Sequence, residues 1–145
     1  MPIAYPTATT ILKNSIINNH FLALSTTAPN IKDTGSGYNV TEPSTSNTTY
    51  RRINLGLASN YSDTFNPATS ETKVTNDVAL YFPECIIAGD KVAWGTLTHF
   101  AIYETATSIV PLYVGALTSS ITPADAQIPT IRIGALELSL LPEAE

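Results

Sequence analysis

Three stretches in the second half of the chain constrain its fold most: KVAWGTLTHFAIYETA (91–106), IVPLYVGALTSS (109–120) and TIRIGALELSL (130–140). Each is rich in β-branched and aromatic residues, which fit a pleated, half-buried surface, and each reads as a long strand. Only TATS and ITPADAQIP separate them. A parallel pair needs a crossover of a dozen or more residues, usually helical, so connections this short leave antiparallel pairing. Turn clusters elsewhere recur at roughly 8 to 12 residues, the rhythm of a sandwich or barrel. The expectation is an all-β fold, an antiparallel β-sandwich of jelly-roll-like order, formed by residues 1–145 as a single domain.

The first half adds a helix and a long break in the pattern. In TATTILKNSIINNH (7–20), Ile11, Leu12, Ser15 and Ile16 fall near helical spacing, with Thr available as an N-cap and Asn18-Asn19 as a stop. A short N-terminal helix follows. FLALST (21–26) reads as a brief strand, and Pro29 prevents its continuation as an inner strand. Residues 27–49 then run through Gly, Pro, Asn, Ser and Thr with no sustained period, a surface excursion of a length that is usually functional or ordered by a neighbour. Its scattered Ile31, Tyr38 and Val40 are candidate partner contacts. YRRINL (50–55) alternates as a half-buried strand does, and TKVTNDVALYFPE (72–84) holds two short strands or one broken one.

The most concentrated stretch is WGTLTHFAIYETA, with the chain's one Trp and one of its two His. Alternation puts Trp94, Thr96, Thr98, Phe100 and Ile102 on one face and Gly95, Leu97, His99, Ala101 and Tyr103 on the other. Both faces carry apolar side chains, so the strand belongs in the middle of a covered sheet, with Trp94, Phe100 and Ile102 as structural core. His99 as a catalytic base would need a partner, and the other His, His20, lies far away in sequence. Cys85 is the single cysteine, without the local signature of a thiol protease, and reads as packing. Glu84, Glu104 and Glu137 are too scattered to form the carboxylate pair of a glycosidase. No catalytic residue is expected.

Composition narrows the function further. A net charge of -5, with Arg51-Arg52 the only adjacent cations, provides no footprint for a phosphate backbone, so no nucleic acid is expected. These two arginines are candidate partner contacts, since a guanidinium fork grips a carboxylate of a neighbouring subunit; strand-end surface charge is the plainer reading. TGSGYN has the wrong spacing for a phosphate cradle, and no metal-ligand motif occurs, so neither cofactor nor metal is expected. No apolar run reaches the roughly 20 residues of a membrane span, and the N-terminus lacks the basic start and apolar run of a signal peptide. Synthesis in the cytosol is expected. Asn-x-Ser/Thr triplets at Asn39, Asn47 and Asn60 are what a chain rich in Ser and Thr produces by chance. The tyrosines, Tyr38, Tyr50, Tyr61, Tyr103 and Tyr113, suit either a core or an interface.

In order along the chain, FLALSTTAPN, YRRINLG, YFPE, WGTLTHFAIYETAT, PLYVGALTSSITP and IRIGALELSL form a recognisable series between Leu12 and Leu140. The series resembles small tailed-bacteriophage virion proteins usually labelled tail fibre proteins. Where that family more often has a GDTLSF-like turn and strand, this chain has PADAQIPTIRIG. The resemblance implies a non-enzymatic virion structural protein on the outer particle, made in the host bacterial cytoplasm and acting through contacts with other virion proteins as a homo-oligomer. With no repeat or heptads and a radius of gyration on the order of 15 Å, the chain suits a knob or adaptor rather than a shaft. Two further readings stand beside a tail-fibre or tail-tip component: a capsid decoration protein, and a carbohydrate-binding module that recognises a host glycan receptor.

Because no ligand cluster of recognisable spacing is present, chelation with EDTA is expected to leave the melting temperature unchanged; a large fall in a thermal scan would reveal a structural metal.

Overall fold

A computed structural model describes residues 5–29 and 39–140. Ile31 and Tyr38 lie outside the described residues. Helix α1 (Tyr5–Thr10) runs directly into a π-helical segment (Ile11–Ile17), so the expected N-terminal helix is present but widened. Leu12 and Ile17 are both fully buried, and the Asn18 amide donates to the Lys13 carbonyl five residues back at 3.0 Å. In an α-helix, positions five apart point about 140° away from each other; the wider turn brings both side chains towards the core.

Among the described residues nine strands follow, all paired antiparallel. The largest sheet has the order β2 (Ile53–Asn54), β1 (Phe21–Ser25), β6 (Leu97–Tyr103), β7 (Tyr113–Ile121). The second has β3 (Tyr61–Asn66), β4 (Glu71–Asn76) and β9 (Glu137–Leu140), and a small third sheet pairs β5 (Leu80–Tyr81) with β8 (Thr130–Ile131). Leu22, Leu24, Phe100 and Ile102 of the first sheet and Val74 and Leu138 of the second enter one core, which gives a sandwich-like arrangement. The fold is therefore antiparallel all-β with a short N-terminal helix; sheets of four, three and two strands do not by themselves make a jelly roll.

Two long-strand expectations need correction. TIRIGALELSL is not one strand: Gly134, at φ +80°, turns the chain between β8 and β9. KVAWGT is not strand either, because Gly95 adopts φ +91° and β6 begins only at Leu97. Strict alternation also fails inside β6. The step from Leu97 to His99 pairs with the step from Ile121 back to Ala116, so a two-residue step on β6 faces a five-residue step on β7. At this irregularity Leu97 joins the core with Trp94, Phe100 and Ile102, all buried, while Thr96 is exposed. Ala101 and Tyr103 remain on the opposite face, packed with Ala23, Val40 and Val114.

Opposite Phe100 on β7 stands Gly115. A Cβ there would lie 2.7 Å from Phe100 Cζ and 2.8 Å from its Cε1, while the Phe100 ring is itself stacked on Tyr113 at 6.0 Å. Gly115→Ala is therefore expected to lower stability by about 1–3 kcal/mol through overpacking, read from the urea midpoint. In a Phe100→Leu background the same change should cost measurably less; equal costs in the two backgrounds would place the strain elsewhere.

Candidate assembly surface

Five residues carried the expectation of partner contact, and three of them, Val40, Arg51 and Arg52, are described. Val40 and Arg52 both lie against Tyr103 on the large sheet, and Arg51 shares a cleft with Arg52. Arg52 follows the buried Tyr50 and precedes β2, so its side chain crosses the outer face of the sheet with its guanidinium carbon 3.6 Å from the Tyr103 ring centroid. There it forms a two-pronged pair with Glu42, Nε to Oε1 at 3.0 Å and Nη2 to Oε2 at 2.8 Å. Its Nη1 donates to the carbonyls of Thr105 and Ser108, at 3.2 and 2.8 Å, in the loop between β6 and β7. The fork expected to hold a partner's carboxylate is taken by a carboxylate of the same chain.

The pair is well shielded, with side-chain exposures of 12% for Arg52 and 22% for Glu42. Burial would lower the Arg52 pKa, but the hydrogen bonds and charge of Glu42 outweigh it and hold the guanidinium more firmly protonated. Glu42 also accepts from the Tyr50 hydroxyl at 2.7 Å, and that hydroxyl accepts the Leu24 amide of β1 at 3.0 Å. Hydrogen bonds to charged groups contribute about 1.5–3 kcal/mol each, so this network fixes the 39–49 segment to the sheet. Thr26 N–H to Thr41 O and Thr41 N–H to Ser25 Oγ, both 3.0 Å, extend the seam, and Pro43 and Thr48 are buried. The reasoning that the excursion is too irregular for its own core to hold fails for 39–49. Val40 is half-buried against Ala23, Ala101 and Tyr103, so it serves its own sheet.

Arg51 is left at the surface, donating to the carbonyls of Tyr50 at 2.8 Å and Thr45 at 3.3 Å. It borders a shallow cleft of ≈ 270 Å³ between Pro43, Thr45 and Ala106. The loop that supplies Ala106 continues to Ile109, 83% exposed, and to the exposed Val110 and Leu112, which with Glu104 line a second open cleft. Sequence reading missed both Glu42 and this apolar tip. IVPL was absorbed into a strand, and nothing local links Glu42 in a Pro-containing loop to an arginine ten positions on.

Neither sequence-level reactive group acquires a catalytic setting. His99 Nδ1 lies 2.8 Å from the hydroxyl of its neighbour Thr98. Burial raises the Cys85 pKa and Asp125 adds to the rise against a lowering backbone hydrogen bond from Trp94, which keeps the thiol protonated and a poor nucleophile. Among the described residues no group of three or more His, Cys, Asp or Glu is placed to hold a metal ion, and no helix is long and apolar enough to cross a membrane.

With this geometry in place, the chain can be compared with known proteins. Residues 7–139 match the family described as Podophage GP4 fiber I protein gp80. The chain belongs to this family. The match spans both main sheets, the 39–49 segment and the exposed tip, so the described architecture is that of a podophage fibre protein. No curated protein matches the chain.

Burial, then the Glu42 charge and hydrogen bond, push the Tyr50 hydroxyl well above the ordinary tyrosine range, and burial does the same to Tyr61. In the unfolded chain both ionise near pH 10. Above that pH the unfolded state holds fewer protons than the folded one, so stability is intact below about pH 10 and falls as pH rises towards the folded-state values. Tyr50→Phe is expected to flatten this alkaline loss between roughly pH 10 and 11. At pH 7 the same variant should be about 1–3 kcal/mol less stable, because the buried Leu24 amide loses its acceptor; denaturant titrations at both pH values check the two effects.

Proposed function

We infer that the protein is a non-enzymatic structural component of the phage virion, of tail-fibre or tail-tip type, and that it works by docking onto other virion proteins. The family match over residues 7–139 carries this reading. The surface assigned to docking is the end bearing Arg51 and the tip of Ile109, Val110 and Leu112. Its composition suits an interface: exposed aliphatic anchors beside a guanidinium, with Thr45, Thr105 and Thr107 hydroxyls around them. The tip is also braced from behind, since Arg52 holds the Thr105 and Ser108 carbonyls and Thr105 N–H donates to Ser108 Oγ at 3.1 Å. A pre-ordered loop loses little entropy on docking.

Assembly as a homo-oligomer, placement on the tail rather than the head, and location in the mature virion belong to this proposal. Copy number per particle separates tail from head, because decoration subunits follow the many local symmetry axes of a capsid and tail components follow one axis.

Ile109→Asp with Val110→Asp, both at exposed positions, is expected to change unfolding free energy by no more than about 0.5 kcal/mol. The same double variant should reduce incorporation into particles at least tenfold when it is supplied in place of the natural protein. Normal incorporation of the folded variant would remove the tip from the interface.

A further inference from the structure

Where β6 and β7 shift register, β7 bulges with a three-residue excess. Residues 117–121 of β7 lie beside the turn that joins β8 to β9, and the two line an open pocket of ≈ 210 Å³ whose walls include Leu117, Ser119, Ser120, Ile131 and Arg132. At about 30 Å³ per molecule of liquid water, this is room for roughly seven waters, or one small polar ring. Among the described residues β7 is the last strand of its sheet, with no further strand on its outer edge. The edge is nonetheless closed to a long peptide strand, because Thr118 Oγ1 donates to the Ala135 carbonyl at 3.2 Å and ties the bulge to the turn. A small open pocket remains.

Its far wall is rigid. The side chain of Asn76, only 1% exposed, donates to the carbonyls of Arg132 at 3.0 Å and Val78 at 2.8 Å and accepts the Leu136 amide at 2.9 Å. The Asn76 carbonyl accepts the Gly134 amide at 2.9 Å as well. One buried amide therefore sets the backbone on both sides of the turn, the kind of support that pre-organises a binding site. Ile131, buried, and Leu117, half-buried, supply an apolar floor, while Ser119 and Ser120 expose hydroxyls. Among the described residues nothing pairs with the Arg132 guanidinium, in contrast to Arg52.

We propose that this pocket, built by the β7 bulge, Arg132 and the Asn76-pinned turn, binds a single carboxylate-bearing sugar residue. The planar guanidinium takes the carboxylate through paired N–H donors, the serine hydroxyls exchange hydrogen bonds with ring hydroxyls, and the Leu117–Ile131 floor meets the apolar face of the ring. A neutral sugar lacks the charge that Arg132 selects, and a bare carboxylate lacks the ring that fills the volume. The site lies on different elements from the docking tip, and it does not rest on the assembly reading.

The test uses the full-length isolated protein, isotopically labelled, titrated with methyl glucuronide, methyl glucoside and acetate while backbone amide shifts are followed. The glucuronide is expected to move the amides of Ser119, Ser120 and Arg132 saturably, with glucoside and acetate at least tenfold weaker. Arg132→Gln should weaken the glucuronide at least tenfold while leaving the urea midpoint unchanged, since that side chain supports nothing in the fold; Ser119→Ala with Ser120→Ala should weaken it without abolishing it. Absence of saturable shifts up to roughly 50 mM glucuronide, or undiminished binding by Arg132→Gln, overturns the proposal. Equal binding of acetate and glucuronide also overturns it, and makes an acidic side chain of a neighbouring protein the occupant.

Discussion

Strand β6 is apolar on both faces, and most of the molecule is arranged to cover it twice. An antiparallel sheet ordinarily turns one face to water. Here Leu97, Phe100 and Ile102 point into the core shared with the second sheet, while Ala101 and Tyr103 point outward. Covering the outer pair calls for a roof, and the chain supplies it from Val40 and the guanidinium of Arg52. Bringing Arg52 over an apolar ring removes a cation from much of its water, which is unfavourable unless a carboxylate follows. Glu42 is that carboxylate, and its position in turn holds the 39–49 segment over the sheet. A hydrophobic requirement on one strand thus dictates an ion pair and the path of a loop.

Tyr50 joins this roof to the interior. Its hydroxyl spans Glu42 and the β1 backbone, while its ring sits edge-on to Trp94 at 5.3 Å and parallel to Phe82 at 6.3 Å. The residue before it, Thr49, accepts from Trp94 Nε1 at 3.3 Å and donates to the Glu84 carbonyl at 2.6 Å. Two neighbouring residues therefore anchor the irregular stretch from Phe82 to Trp94, which contains little strand of its own, to the edge of the large sheet. Cys85 belongs to this anchorage, bridged to Gln127 and buried, which explains a thiol with packing but no reactivity.

The class of the fold is legible because short connections and strand composition act locally, and β1, β4, β6 and β7 all fall within stretches that alternate or carry β-rich composition. What escapes is set by contacts distant in sequence. YSDTFN shows no recognisable pattern yet forms β3, since only Tyr61 of that strand is buried and pairing with β4 holds the rest. Leu97 enters the core at a register irregularity between β6 and β7 that no local pattern reveals, and the split of TIRIGALELSL depends on Asn76, some sixty positions upstream, gripping the turn. Of the candidate surface, the arginine pair was visible, but its division of labour was not. One arginine is structural and the other is at the surface only because Glu42 stands where a linear reading cannot place it.

That division bears on how such a domain meets its neighbours. With Arg52 satisfied internally, the end proposed for docking keeps the exposed Arg51 guanidinium and a group of aliphatic side chains, on a chain of which only 13% of residues are charged. Long-range steering needs a field from many like charges, and a single exposed arginine among threonines provides almost none. On the docking proposal, recognition at this end comes from shape and apolar burial at short range, which salt screens little. Weak steering leaves such an association slow to begin, because neither partner is drawn in from beyond contact range.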